Sequence, residues 1–154
     1  MTPGPFHHVG CCVDGTPAAQ AAIAHARDLW TPGDGVLSIV HVAPRPLIME
    51  TVDGEEVPSP RDISSRERAW LEGLAKGVPG AEPVLLEGLP GPEICRWAAE
   101  AGVDVLVCAR HHGPVGSVVL GSVARHLVDH APCPVLVVRQ NAAQARTATS
   151  EAVS

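Results

Sequence analysis

Histidines and a cysteine in the last third of the chain are of the types that bind zinc. His126 and His130 are four residues apart, so a helix would place both on one face, as in many zinc sites. Cys108, His111 and His112 precede them. No closely spaced cysteine pair completes a ligand set, His126 is expected to face solvent, and His130 suits a helix C-terminus. We therefore expect no metal site.

The hydroxyl of Ser122 is a second group that could do chemistry, with His111 or His112 as its base. The chain has no Gly-x-Ser-x-Gly turn, which presents the nucleophile in the α/β-hydrolases. The hydroxyls of Thr16 and Ser122 are better explained as helix caps or phosphate ligands than as nucleophiles. We expect no catalytic residues. We also expect the five cysteines to be small buried hydrophobic residues, because they lie in apolar surroundings.

Composition limits the class of protein that these residues belong to. The chain has 154 residues, enough for one domain, and we assign residues 1–140 to it and 141–154 to a disordered polar tail. The net charge of −6 and an aromatic content of 3% argue against nucleic-acid binding. The apolar runs are too short to span a bilayer. No basic segment followed by an apolar stretch opens the chain, so we expect a cytoplasmic protein.

Apolar runs alternate with helical patterns along the chain. Because the runs are continuously aliphatic, they indicate a parallel sheet covered on both faces. The pattern predicts an α/β fold: a doubly wound, Rossmann-like sheet of five parallel strands. The predicted strands are Phe6–Val13, Val36–Val42, Glu82–Glu87, Val103–Ala109 and Cys133–Arg139. The predicted helices are Pro17 to about Trp30 with Thr16 as N-cap, Arg61–Lys76, Pro90–Ala101 and Gly121–Ala131.

Ligands of such sheets bind outside the carboxyl ends of the strands, at the point where the strand order reverses. The segments to examine are therefore Val13–Thr16, Val42–Pro46, Glu87–Pro90 and Ala109–Gly121.

The same segments carry a recognisable set of motifs. The first strand ends in Val-Asp-Gly-Thr at residues 13–16 and leads into an alanine-rich helix. Residues 121–125 read Gly-Ser-Val-Ala-Arg, and residues 130–138 read His-Ala-Pro-Cys-Pro-Val-Leu-Val-Val. Over residues 6–139 the sequence resembles the universal stress protein family. The resemblance implies an adenine nucleotide alpha-hydrolase-like fold that binds ATP or a related adenine nucleotide, with Mg²⁺ as a possible companion.

The nucleotide-binding branch of that family has a phosphate loop of the form Gly-x2-Gly-x9-Gly-Ser/Thr, and here the loop is altered. It stands as Cys108-x2-His111-x9-Gly121-Ser122, so two glycines are replaced. Glycine would let the backbone approach phosphate oxygens, and a helix N-terminus offers free N–H donors. The resemblance implies these binding residues: Cys12, Val13, Asp14, Val42, Cys108, Arg110, His111, Gly121, Ser122 and Val123.

Several of these positions also have a simpler explanation. Arg110 either neutralises a phosphate or is a solvated arginine of the loop. Asp14 either faces the adenine and ribose or only closes the turn before the helix. Gly121 and Ser122 either hold phosphates or only begin a helix. His111 either donates to a phosphate or closes the site with its side chain. Two functions follow: a nucleotide-binding module with at most slow ATP hydrolysis, or a protein of the same family that binds no nucleotide and acts through dimerisation and protein partners.

The last predicted strand, Cys133–Arg139, is aliphatic, and no later element of the chain would cover it. An open apolar edge is an aggregation hazard unless it is paired. Family members commonly pair this strand with its symmetry mate, so the resemblance implies a homodimer. Pro134 has no N–H for such a ladder, so we expect the pairing to centre on Val135–Val138.

Overall fold

A computed structural model describes residues 5–45, 60–110 and 120–139 of the chain. The helices within these ranges are α1, Ala18–Leu29; α2, Pro60–Lys76; α3, Pro90–Ala101; and α4, Ser122–His130. The strands are β1, His8–Cys12; β2, Val36–Ala43; β3, Ala81–Glu87; β4, Val105–Ala109; and β5, Val135–Val138. The predicted tail, residues 141–154, lies outside the described residues.

The five strands form one sheet in the order β3-β2-β1-β4-β5, and every pairing is parallel. The predicted doubly wound α/β fold is therefore confirmed. The chain runs outward from β1 to β3 on one side and then returns to add β4 and β5 on the other. The order reverses between β1 and β4, which is where such folds open a crevice for ligands.

Two apolar cores hold the helices against the sheet. On one face, alanines of α1 and Leu71 of α2 pack on Val9 and Ile39. On the other face, Ile94 of α3 and Leu127 of α4 pack on the opposite side chains of the same strands. Both cores consist mainly of aliphatic residues, with Trp30 buried in the first and Trp97 packed against the second. Among the described residues, no helix has the length and apolar character needed to cross a bilayer.

The strands at the sheet centre are shorter than predicted, for a reason that is visible at their amino ends. There the side chain of Asp104, rather than a backbone carbonyl, accepts hydrogen bonds from the first residues of the β1 segment. Its carboxylate accepts the backbone N–H groups of His7 and His8 at 3.0 and 2.7 Å, and its own N–H donates to the His8 carbonyl at 2.9 Å. These side-chain hydrogen bonds replace the regular pairing before His8 on β1 and before Val105 on β4.

The prediction that Thr16 caps α1 with its side chain is wrong. The helix begins at Ala18 with Pro17 as its N-cap residue, and no side chain caps it within the described chain. The Thr16 hydroxyl instead donates to Asp14 Oδ1 at 2.5 Å. The polar side chain that organises this turn is therefore Asp14, two residues earlier.

Helices α3 and α4 approach closely because Gly91 has no side chain. A Cβ at that position would lie 2.6 Å from His126 Cγ and 2.9 Å from His126 Cβ, well inside van der Waals contact. His126 is half-buried against α3 and stacks on His130 with ring centroids 4.3 Å apart. The expectation that His126 faces solvent is therefore wrong.

Candidate functional site

A cleft of about 290 Å³ opens at the carboxyl ends of β1, β2 and β4, between the first turns of α3 and α4. This volume is at the lower limit of the range usual for small-molecule sites. Its position is the one that the reversal of strand order predicts. The residues that line it are Cys12, Val13, Asp14, Ala19, Val40, His41, Val42, Pro90, Ile94, Cys108, Ala109, Gly121, Ser122, Val123 and Ala124.

Most of the predicted binding residues meet in this cleft. Eight of the ten line it: Cys12, Val13, Asp14, Val42, Cys108, Gly121, Ser122 and Val123. Arg110 does not line it; the residue is half-buried just after β4, and its backbone N–H donates to the Val138 carbonyl at 2.8 Å. His111 lies outside the described residues, so its two alternative roles stay predictions.

Sequence reasoning identified Val42 but missed the other residues of the apolar wall. Val40 and Val42 present side chains from β2, and Pro90 and Ile94 add the first turn of α3. Residues 40 and 42 share a face because side chains alternate along a strand, so Val42 alone was enough to indicate Val40. The wall is aliphatic, and apolar walls of this kind are usual in small-molecule sites.

Asp14 forms a tight turn at the mouth of the cleft. Its Oδ1 accepts the Thr16 backbone N–H at 3.0 Å as well as the Thr16 hydroxyl. This is the turn chemistry that aspartate favours, and it fixes the carboxylate at the end of β1. Asp14 is also the one aspartate or glutamate among the lining residues of the described chain. These hydrogen bonds support the turn interpretation of Asp14. The same turn holds the Asp14 carboxylate beside the cleft.

The amino end of α4 forms one side of the cleft. Gly121 is the N-cap residue, with φ −58° and ψ 158°, and no side chain of the described chain caps this helix. The Gly121 carbonyl accepts the Arg125 N–H at 2.9 Å, so the helix is regular from its first turn. Its first N–H groups have no partner within the helix and carry the partial positive charge of a helix N-terminus. Gly121, Ser122 and Val123 therefore offer donors that suit an anion.

His41 joins this cleft to a second cavity of about 390 Å³, lined by Gly15, His41, Arg66, Glu67 and Trp70. Its Nδ1 lies 3.0 Å from the Val13 carbonyl, and its Nε2 makes a short contact with a Glu67 carboxylate oxygen. The Trp70 ring packs edge-to-face on the imidazole, with centroids 4.9 Å apart. His41 thus ties α2 to the floor of the cleft; the sequence places it at the end of the second predicted strand but does not reveal these contacts.

Two cysteine thiols form the deepest part of the cleft. Burial raises the pKa of Cys108 to about 11. Burial, and then the neighbouring thiol of Cys108, raise the pKa of Cys12 well above its ordinary range. Both groups are therefore neutral thiols near pH 7 and are poor nucleophiles, because the thiolate is the reactive form. Across the part of the chain that the structure describes, no three His, Cys, Asp or Glu side chains are grouped to hold a metal ion.

Comparison with known proteins places this chain among close relatives. The profile of the universal stress protein family matches residues 5–139. A universal stress protein of Thermus aquaticus is 35% identical over 137 residues, which cover 87% of this chain and 99% of the relative.

Solved structures show the same fold at lower identity. Universal stress protein UspA from Lactobacillus plantarum superposes with a TM-score of 0.68 at 21% identity, over 87% of this chain and 98% of that one. A universal stress protein family member from Arabidopsis thaliana, solved with AMP bound, has a TM-score of 0.61 at 22% identity, over 88% of this chain and 93% of that one.

Proposed function

The chain belongs to the universal stress protein family, and on that premise we propose that its cleft binds ATP or a related adenine nucleotide. The observation that carries the proposal is the amino end of α4, which opens into the cleft without a side-chain cap. Such an end attracts phosphate through its free N–H groups and its dipole. The family member from Arabidopsis thaliana with AMP bound supports the same ligand class.

The cleft offers a complementary surface to each part of such a ligand. The adenine would lie on the aliphatic wall of Val40, Val42 and Ile94. The Asp14 carboxylate would accept a ribose hydroxyl, and the amino end of α4 would receive the phosphates. Mg²⁺ would enter with the phosphates, since Asp14 is the single lining carboxylate in the described residues and one carboxylate plus phosphates is a usual magnesium arrangement.

Hydrolysis of a bound nucleotide would be slow at most. The titratable lining residues of the described chain are Asp14, His41 and two cysteines. The Asp14 carboxylate accepts the hydrogen bonds of its turn, and the two ring nitrogens of His41 contact the Val13 carbonyl and the Glu67 carboxylate. Burial raises the pKa of both thiols, so they are neutral near pH 7. A base that activates water, or a cluster of carboxylates that holds two metal ions, would require side chains beyond these. We therefore propose a binding module rather than a phosphatase.

The test is to look for nucleotide in the purified protein and then to measure binding directly. Denatured protein should release a compound with adenine absorbance, which mass spectrometry identifies as a mono-, di- or triphosphate. Calorimetric titration of nucleotide-free protein with AMP, and with ATP in the presence and absence of Mg²⁺, should give saturable binding. Protein that releases no nucleotide and gives no heat with either ligand at millimolar concentration would contradict the proposal.

That negative outcome would favour the second candidate function, a family member that acts through dimerisation and protein partners. One feature supports this alternative: the Cys108 side chain lines the cleft at the position of the first loop glycine and takes up space there. The two candidates share the fold and differ only in whether the cleft is occupied.

We propose, for either function, a homodimer through β5. Leu106 N–H donates to the Pro134 carbonyl and Arg110 N–H donates to the Val138 carbonyl, so the backbone of the even-numbered residues faces β4. The backbone groups of Val135 and Val137 consequently point to the outer edge of the sheet. In the described chain no strand lies beyond β5. A second copy of β5, antiparallel to the first, would pair these groups across a two-fold axis.

A further inference from the structure

Cys12 and Cys108 are direct partners in the β1–β4 ladder, and both line the cleft. Side chains of paired residues on neighbouring strands leave the same face of the sheet, so the two thiols stand side by side. Cys11 pairs with Val107 and is fully buried in the core on the opposite face. The cleft therefore has a two-thiol floor. Of the other three cysteines, Cys11 lies one residue away on the opposite face of the sheet, and Cys95 and Cys133 do not line the cleft.

The spacing of neighbouring strands suits a bridged pair of sulfurs better than a disulfide. Adjacent strands lie about 4.8 Å apart. An unstrained disulfide brings its two Cβ atoms to about 3.8 Å, so forming one would pull β1 and β4 together by about 1 Å. A metal ion with thiolate bonds near 2.3 Å on each side spans about 4.6 Å and leaves the strands where they are.

The number of ligands then selects the kind of ion. Structural zinc takes four protein ligands, and around this pair the described residues supply no third His, Cys, Asp or Glu in reach of a shared ion. Calcium and magnesium prefer oxygen ligands. Thiolates select soft ions such as Cu(I), which is stable with two sulfur ligands in a linear arrangement. The aliphatic wall of Val40, Val42 and Ile94 keeps the surroundings apolar, which suits a weakly hydrated monovalent ion.

We propose that Cys12 and Cys108 form a two-coordinate site for Cu(I) at the floor of the cleft. Two S–Cu bonds form as the two thiol protons pass to solvent, and copper and sulfur keep their oxidation states. The cleft itself is the entry path, since both cysteines line it, Cys12 half-buried and Cys108 buried. This site does not depend on the proposed nucleotide function, because the ion binds with the cleft otherwise empty.

The test is a competition for Cu(I) between the reduced protein and the coloured chelator bicinchoninate, without oxygen and without nucleotide. The wild-type protein should withdraw one Cu(I) per chain. Cys12→Ser should weaken the binding by about 100-fold, because a single thiolate loses the advantage of chelation. Cys12 is the safer position for this change because it is only half-buried, and Cys108→Ala provides the second variant. Cys11→Ala is the matched control and should keep the wild-type affinity.

Three results would overturn the proposal. One is a wild-type protein that leaves Cu(I) on the chelator. Another is a Cys11→Ala protein that loses as much Cu(I) affinity as Cys12→Ser does. That result would show that the loss comes from a disturbed fold and not from removal of a Cu(I) ligand. The third is a disulfide between Cys12 and Cys108 after copper treatment, seen as a loss of two hydrogens from the mass of the chain and assigned to this pair by peptide mapping. Circular dichroism of each variant confirms that the compared proteins are folded.

Discussion

Glu67 on α2 contacts the imidazole of His41, at the point where β2 reaches the cleft. The other ring nitrogen of His41 lies 3.0 Å from the Val13 carbonyl oxygen, so both ring nitrogens face acceptors. The pair joins α2 to the ends of β1 and β2 across a half-buried space. It is the contact that positions this helix beside the candidate site.

Removal of the Glu67 carboxylate should weaken the attachment of α2. We expect Glu67→Ala to lower the free energy of unfolding by about 1.5–3 kcal/mol, the usual range for a hydrogen bond to a charged group. Glu72→Ala, at an exposed position of the same helix, should change it by less than about 0.5 kcal/mol. Urea denaturation followed by circular dichroism measures both. Equal effects of the two changes would show that the contact with His41 contributes no stability.

The close approach of α3 and α4 makes Gly91 intolerant of a side chain. Gly91→Ala would place a Cβ within 3 Å of His126, so the helices must move apart. We expect a loss of about 1–3 kcal/mol in the free energy of unfolding, as for other overpacked sites.

Gly73→Ala is the matched control for Gly91→Ala. It adds the same methyl group within α2, where no atom of the described residues outside the adjacent helix backbone lies within 4 Å of the new Cβ. We expect a gain of about 0.5–1 kcal/mol there, because alanine favours a helix over glycine. If Gly91→Ala also stabilises the protein, α3 and α4 do not pack as closely as described.

The buried thiols predict a loss of stability at alkaline pH. Burial raises the pKa of Cys11 from 9.0 to about 12 and that of Cys108 from 9.0 to about 11. Below pH 9 both the folded and the unfolded chain keep these protons. Above it the unfolded chain releases them and the folded chain does not, so stability falls by about 1.4 kcal/mol per pH unit for each such thiol.

Cys11→Ala should make this alkaline slope shallower. Measurement of the free energy of unfolding at intervals from pH 8 to pH 11 tests the effect on the slope, separately from any loss of packing at neutral pH. The chain has no tyrosine and a single lysine, Lys76, so the side chains that titrate in this range are mainly its five cysteines. An unchanged slope in the variant would mean that Cys11 releases its proton equally readily in both states.

A side chain at Gly121 should obstruct the amino end of α4. The φ of −58° there is allowed for any residue, so Gly121→Val should fold. If phosphate binds at this end, its methyl groups would lower nucleotide affinity by more than tenfold, about 1.4 kcal/mol. Ser122→Ala leaves the backbone N–H groups in place and should reduce affinity much less. Titration calorimetry compares the two, and unaltered binding to Gly121→Val would place the phosphates elsewhere.

The dimer prediction is best tested at Leu136. This side chain is 38% exposed, whereas Val137 packs partly into the core beside α3 and α4, so a lysine at Val137 would disturb folding as well as assembly. Wild-type protein should scatter light as twice the 16.0 kDa chain, and Leu136→Lys should shift it toward the monomer. Leu89→Lys, at a leucine that is 72% exposed at the start of α3, is the control and should stay dimeric. A monomeric wild type at tens of micromolar would refute the dimer.

The sequence was sufficient for the fold because the strands are continuous aliphatic runs and the helices carry clear start and stop residues. It was sufficient for most of the cleft because parallel strands bring their carboxyl ends together, which places Asp14, Val42 and Cys108 near one another. It did not reveal His41, Glu67 and Trp70, because their contacts join residues 26 or more positions apart or depend on which face of α2 meets the sheet. Nor did it reveal that His126 is half-buried, because this depends on the close approach of α3 at Gly91.

The place of β1 at the centre of the sheet also determines when the chain can fold. β1 is the first strand to be synthesised, yet one of its two neighbours, β4, and the Asp104 carboxylate that holds its amino end lie 96 or 97 residues later. At about 5–20 residues per second, a ribosome needs about 5–20 seconds to supply them. During that interval one edge of an apolar strand stays open, so this chain should depend more on chaperones during synthesis than a sheet whose first strand lies at its edge.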